Sequence, residues 1–152
     1  MLADLLKIKR RREDDAVAAV AEARRSLEGL QSAREAKARE LDEYRHWQEA
    51  EKVRLYERVH NRNVTRNKLE EYREQVGLLR QRCLQLEEEL ARADHEVAVG
   101  EETLRQAHQR RLDAHREVVK LEEYQRTLDE EHARAVERKE ETEAEDVVTG
   151  RS

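Results

Sequence analysis

The sequence has no proline and no phenylalanine, and its 152 residues include four glycines, one cysteine and one tryptophan. Proline and glycine interrupt helices and build tight turns, so their scarcity argues against a protein of many short strands and loops. Apolar residues make up 37% of the chain and charged residues 44%, which argues against a large compact core. This composition is typical of long helices or a coiled coil.

Other absences bear on location. The chain lacks a run of about 18 apolar residues, so no integral membrane segment is predicted. The first residues, "MLADLLKIK", do not match a secretory signal, and the single Cys83 fits a reducing compartment. The 31 basic and 36 acidic residues are mostly interspersed, with a formal net charge of −5. We therefore expect a cytoplasmic protein.

Apolar residues recur at alternating steps of three and four from Leu69 to Leu128. A period of 3.5 residues is the signature of a coiled-coil seam, which a partner helix has to cover. Residues from Leu6 to Leu55 keep the same phase in a leaner seam. Its polar interruptions are Lys9, Glu13, Arg34, Lys37, Gln48 and Glu51. The stretch from Arg34 to Glu51 is predicted to be the least stiff part of the coiled coil, because these polar residues interrupt its apolar seam.

The segment "HNRNVTRN", residues 60–67, separates the two halves and is rich in poor helix formers. Asn67 and Glu70 have the spacing of a capping box, which would open the second helix. We predict helices from about residue 2 to 60 and from about 67 to the 140s. The predicted fold is all-α, a long two-helix antiparallel coiled-coil hairpin with its turn near residues 60–67.

A turn centred between residues 63 and 64 sets the numbers of facing residues to sum to roughly 127. This register places Leu41 on Leu86 and Leu27 on Gly100. In several layers, as in the second of these, a large side chain meets a small residue. The second helix is then longer than the first. The predicted organisation is a hairpin over residues 1–128 and an overhanging acidic tail, helical or disordered, over residues 129–152.

Residues that chemistry would need are not arranged as a site. His108 and His115 share a helix face, but no cysteine or carboxylate completes a metal site with them. A two-helix hairpin offers no desolvated pocket for acid–base catalysis, and the sequence has no phosphate-binding glycine motif. No catalytic residue, cofactor or metal is predicted. The basic run "KIKRRR" is short and lacks interleaved aromatics, so nucleic acid is not an expected partner.

Two groups of residues are candidates for contact with other proteins. Near the N-terminus, apolar residues adjoin the basic run, a pattern suited to entering a protein cavity or, as a weaker alternative, to lying on a membrane surface. In "YRHWQEAEKVRLY", Tyr44 falls in the seam, Trp47 flanks it and Tyr56 points away. Trp47 either covers the edge of the hairpin or forms a binding hot spot, and the sequence leaves both readings open.

The segments "LADLLKIKRRRED", "EYRHWQEAEKVRLYE" and "NKLEEYREQVGLLRQR" resemble the YscO family of type III secretion proteins, which is similar in architecture to the flagellar protein FliJ. The resemblance covers roughly residues 1–125. It implies a stalk in the centre of a secretion ATPase hexamer that reaches towards the export gate protein and also handles export chaperones. It implies a bacterial cytoplasmic protein at the periphery of the inner-membrane secretion apparatus.

The resemblance also implies roles for individual residues. The ATPase contact is expected at Leu5, Leu6, Ile8, Lys9, Arg10 and Arg11. The gate or chaperone contact is expected at Trp47, Tyr56 and Tyr72. We expect a protein that is not an enzyme and is monomeric alone. An export chaperone-escort module and a generic self-associating coiled coil are the alternatives.

Overall fold

The computed structural model describes residues 1–60 and 63–150 and contains two helices, α1 (Leu2–Val59) and α2 (Arg66–Gly150). Within those residues no strand is present. The all-α fold and the two predicted helices are therefore confirmed. Residues 61 and 62 of the predicted turn, and residues 151 and 152 of the predicted tail, lie outside the described residues.

The start of α2 differs from the predicted capping box at Asn67. The helix begins one residue earlier, at Arg66, and the Thr65 hydroxyl oxygen accepts a hydrogen bond from the backbone N–H of Lys68 at 3.4 Å. The Thr65 carbonyl oxygen accepts from the N–H of Leu69 at 3.2 Å. Thr65 is thus the N-cap, because its hydroxyl satisfies one of the amide groups that a first helical turn leaves unpaired.

The buried apolar residues of both helices occupy the predicted seam positions. Ten apolar side chains are buried: Leu6, Val20, Ala23, Leu27, Leu41, Leu55, Leu79, Leu86, Ala107 and Val118. Every one of them keeps the 3.5-residue phase of a coiled coil. Leu69, which the sequence placed first in the seam of α2, is 41% exposed. The register sets Leu69 opposite Arg58, a charged residue that is itself exposed.

The chain divides into two compact units, of which unit 2 comprises residues Glu22–Arg105. Here α1 and α2 run antiparallel, and the register is visible at Gly100. A Cβ atom built on Gly100 would lie 3.2 Å from Cδ1 of Leu27 and 3.0 Å from Cδ1 of Leu30. Gly100 therefore allows the two helices to approach closely, and the predicted pairing of Leu27 with Gly100 is confirmed.

Unit 1 comprises Met1–Ala21 and Gln106–Ser152. Its buried apolar residues are Leu6, Val20, Ala107 and Val118. Ion pairs join the two helices beside this seam. Lys9 pairs with Glu117, and a ring nitrogen of His115 lies 2.9 Å from a carboxylate oxygen of Glu13. These pairs again join residues whose numbers sum to about 127, so unit 1 has the same antiparallel register.

Polar residues occupy part of the seam without leaving unpaired groups. Gln48 is buried, and Lys37 and Glu51 are half-buried. Among the described residues, no buried side-chain nitrogen or oxygen atom lacks a hydrogen-bond partner. The polar interruptions of the described seam are therefore accommodated without burying an unsatisfied side-chain group.

Beyond residue 128, α2 continues as a helix to Gly150, and its side chains are exposed throughout residues 129–150. This part of the helix has the acidic composition seen in the sequence. Neither helix has a stretch of described residues that is both long and apolar enough to cross a membrane.

Candidate interaction surfaces

In unit 1, the first three turns of α1 present apolar and basic side chains together. Leu5 is 42% exposed and Ile8 is 50% exposed, whereas Leu6 between them is 4% exposed. The phase of the coiled coil explains the contrast, because Leu6 occupies a seam position and its neighbours fall beside the seam. Leu6 thus anchors the helix by its burial, whereas the side chains of Leu5 and Ile8 are accessible to another molecule.

The basic residues of the same turns differ in how firmly they are held. Lys9 is paired with Glu117 across the seam, and this hydrogen bond lowers the pKa of the Glu117 carboxyl below its ordinary value. Arg10 lies 3.4 Å from a Glu122 oxygen, and Arg11 is exposed. We call Leu5, Ile8, Lys9, Arg10 and Arg11 the N-terminal surface. It combines exposed apolar area with positive charge on a helix that is fixed in place.

In unit 2, Trp47 lies beside the seam as predicted. Its side chain is 49% exposed, and its ring centroid is 5.5 Å from that of Tyr44, with the planes tilted by 43°. Tyr44 is half-buried, and its hydroxyl donates a hydrogen bond to the carbonyl oxygen of Leu79 at 3.1 Å. Burial raises the pKa of the Tyr44 hydroxyl. Trp47 therefore packs on a ring that is itself fixed across the seam, and half of it stays accessible.

Tyr56 and Tyr72 have different surroundings from Trp47. Tyr56 is 51% exposed and stacks on the ring of His60, with centroids 4.8 Å apart. Tyr72 is half-buried and lines a cavity together with Leu55 and Val64. The three aromatic residues predicted as one contact are thus separate features: a ring beside the seam, a stacked pair and part of a concave site.

Charge pairs across the seam of unit 2 were not identified from the sequence. Lys37 lies 3.0 Å from a Glu89 carboxylate oxygen, and hydrogen bonds to Glu89 and Glu40 raise the pKa of Lys37. The same contact lowers the pKa of Glu89. Arg34 pairs with Asp94, and Arg45 with Glu87 at 2.8 Å. The register accounts for the pairs of Arg34 and Lys37, because both residues occupy seam positions and the numbers of the paired residues sum to about 127.

The chemistry of these surfaces is that of protein contact. Exposed leucine, isoleucine and tryptophan side chains bury apolar area when they are covered, and neighbouring arginine and lysine side chains select for acidic surroundings. Of the residues predicted as contacts, Leu6 is the one that the fold buries. The others remain at least partly accessible.

Two comparisons with known proteins agree with each other. The sequence profile of type III secretion protein YscO matches residues 2–149. The crystal structure of type III secretion protein YscO from Vibrio parahaemolyticus superposes with a TM-score of 0.91 over 96% of this chain and 92% of that chain, at 27% sequence identity. No curated relative matches the sequence. Since the profile spans nearly the whole sequence, the chain belongs to the YscO family of type III secretion proteins.

Proposed function

We propose that this protein is the central stalk of a type III secretion system, which binds the secretion ATPase hexamer and the export gate protein and is needed for protein export. It acts in the bacterial cytoplasm at the periphery of the inner-membrane apparatus and is not itself an enzyme. A stalk couples the nucleotide-driven states of a ring to the gate because its faces bind different states with different affinities. Family membership supports this proposal.

The observation that carries the proposal is the N-terminal surface. Leu5 and Ile8 are exposed next to basic residues, yet the helix that bears them is fixed by buried Leu6 and by the Lys9–Glu117 pair. An exposed apolar surface on an ordered helix binds with little loss of conformational entropy. We assign this surface to the ATPase hexamer.

Trp47 and Tyr56 are assigned to the gate protein. Large aromatic side chains that are half exposed bury much apolar area when a partner covers them, and aromatic residues are enriched among binding hot spots. The contacts of Trp47 with Tyr44 and of Tyr56 with His60 restrict both rings before binding. Tyr72, the third predicted residue, is half-buried and lines a cavity instead.

Replacing Leu5 and Ile8 together by aspartate tests the ATPase contact. Both side chains are exposed, so the variant should remain helical by circular dichroism. Calorimetry should show that binding to the purified hexamer is weakened by roughly tenfold or more. The variant should also no longer change the rate at which the hexamer hydrolyses ATP. A matched control replaces Leu78 and Leu84, two exposed leucines of unit 2, by aspartate. This control should bind the hexamer as the wild type does. Undiminished binding by the Leu5, Ile8 variant would refute the assignment.

An export chaperone-escort module is the alternative function, and exposed Trp47 and Tyr56 are the observation that favours it. Under this alternative, the wild-type chain binds chaperones but not the hexamer, and Trp47→Ala weakens chaperone binding. Pull-down of both partners by the same variants separates the two functions. Sedimentation of the pure protein as a dimer would instead indicate a self-associating coiled coil.

A further inference from the structure

A cavity of about 310 Å³ lies in unit 2 where the last turns of α1 meet the beginning of α2. Its apolar lining comes from both helices and from the residue before the α2 cap. The contributing residues are Leu55, Val59, Val64 and Tyr72. Leu55 is buried at 5% exposure, and the other three are half-buried. The cavity is thus lined by one buried apolar side chain and by three half-buried side chains that a ligand can contact.

The seam explains why this cavity exists. After Leu55, the next seam position of α1 is the charged Arg58, which faces Leu69, and α1 ends one residue later at Val59. Tyr72 lines the cavity and is half-buried, so part of its ring stays uncovered. Apolar surface left in a concave site is covered favourably by a matching side chain, because this removes the surface from water.

The rim of the cavity is charged. Arg58 and Lys68 lie on it, with Glu71 as the one carboxylate of the lining. No ion pair joins Arg58 or Lys68 to a carboxylate anywhere in residues 1–60 and 63–150, whereas the nearby Arg66 pairs with Glu70. Two cations against one anion leave the rim positive, so an acidic ligand is favoured electrostatically.

We propose that this cavity binds a protein segment in which a large apolar side chain is flanked by acidic residues. The apolar side chain covers Leu55, Val59 and Tyr72, and the flanking carboxylates pair with Arg58 and Lys68. Such a site differs from the Trp47 face, because Trp47 projects from a convex helix and the cavity receives a projecting group. The assignment of the segment to a gate or chaperone rests on the proposed function, but the cavity and its charges do not.

The test uses the full-length protein and synthetic peptides, without any secretion component. The probe peptide has two central leucines with three glutamates on each side, capped termini and a fluorescein label. A second peptide has lysines in place of the glutamates, and a third has alanines in place of the leucines. Fluorescence anisotropy should show binding of the first peptide, with roughly fivefold weaker binding of the lysine peptide and still weaker binding of the alanine peptide.

Variants then locate the site. Tyr72→Ala should weaken binding of the probe by roughly tenfold or more, and Tyr124→Ala, a matched truncation of an exposed tyrosine of unit 1, should leave it unchanged. The double variant Arg58→Glu, Lys68→Glu should reverse the preference in favour of the lysine peptide. This variant should stay folded, because both side chains are exposed and glutamate at the start of α2 offsets its cost at the end of α1.

Three results would overturn the proposal: no binding of the glutamate and leucine probe, equal binding of the acidic and basic peptides, or loss of binding in Tyr124→Ala with full binding in the Arg58, Lys68 variant. None of these results bears on the ATPase contact, which involves unit 1 and is measured with the purified hexamer. Failure of the cavity proposal is therefore distinguishable from failure of the proposed function.

Discussion

The two units share the same heptad pattern, but the apolar side chains buried in their seams differ in size. In unit 2 the buried apolar residues include five leucines, Leu27, Leu41, Leu55, Leu79 and Leu86. In unit 1 they include one leucine, Leu6, together with Val20, Ala107 and Val118. Apolar burial scales with side-chain area, so unit 2 gains more from its seam. Ion pairs cross between the helices in both units, as Lys9–Glu117 does in unit 1 and Lys37–Glu89 in unit 2, so the difference lies in the apolar burial.

This difference fits the surfaces that each unit offers. Unit 1 carries the N-terminal surface on a helix held by few large side chains, and we expect it to open locally at lower cost than unit 2. Unit 2 supplies the stability that keeps Trp47 and the cavity in place. The same sequence period thus gives a less stable unit 1 and a more stable unit 2, while the N-terminal surface lies on an ordered helix in the folded state of unit 1.

The largest expected effect comes from truncating the seam of unit 2. Leu86 is 1% exposed, and Leu86→Ala should lower the free energy of unfolding by about 2–5 kcal/mol. Val118→Ala in unit 1 removes less buried area and should cost about 1.5 kcal/mol. Urea denaturation measures both. An equal or larger loss for Val118→Ala would contradict the comparison of the two seams.

A smaller effect is expected from one hydroxyl of unit 2. Tyr44→Phe removes the hydrogen bond to the Leu79 carbonyl and should lower the free energy of unfolding by about 1 kcal/mol. Tyr124→Phe is the matched control in unit 1, because Tyr124 is exposed and should be replaceable at no cost. Thermal unfolding of both variants checks this. Similar midpoints would show that the Tyr44 bond adds nothing to the seam.

Glycine replacements measure how closely the helices pack in unit 2. Gly77 has no side chain or distant backbone atom within 4 Å of a built Cβ, so Gly77→Ala should raise the free energy of unfolding by about 0.8 kcal/mol through helix propensity. Gly100→Ala has the same propensity gain, but its methyl group meets Leu27 and Leu30, and the net gain should be smaller or negative. An equal gain at both positions would mean that the leucines move aside freely.

The smallest effect is a dependence on pH. Hydrogen bonds from Lys37 and Lys9 lower the pKa values of Glu89 and Glu117 below 4.5. The unfolded state therefore takes up protons first as the pH falls, and the stabilisation is present above pH 4.5 and lost as the pH passes through the lowered pKa values. Glu89→Gln and Glu117→Gln should have lower midpoints than the wild type at pH 7, with the difference shrinking below pH 4.5. A difference that is constant with pH would exclude this linkage.

The fold was predictable because its determinants are local and periodic. The apolar spacing predicts the seam, and the asparagine-rich segment predicts the break between the helices. The register followed from the length of that break and was confirmed at Gly100. The N-cap was missed by two residues, since Thr65 and Asn67 are both good caps and their local sequences do not decide between them.

The surfaces were predictable only in part. Heptad phase separates exposed Leu5, Ile8 and Trp47 from buried Leu6, but a family resemblance assigns roles to residues without regard to burial. The cavity beside Tyr72 depends on where α1 ends relative to Leu55, which is set by tertiary geometry near the turn. The pair of Glu13 with His115 likewise joins residues 102 apart in sequence, so it becomes visible only when the register is known.

The pairing of Leu27 with Gly100 has a consequence for how the length of such a protein changes during evolution. Each layer uses a residue from both helices, and facing residues are numbered in opposite directions from the turn. A deletion of seven residues in one helix alone would keep the heptad phase but would shift the pairing of every layer farther from the turn by one heptad. Insertions and deletions are therefore tolerated in matched pairs, seven residues in each helix and equally far from the turn. Relatives of different length should differ by such paired heptads.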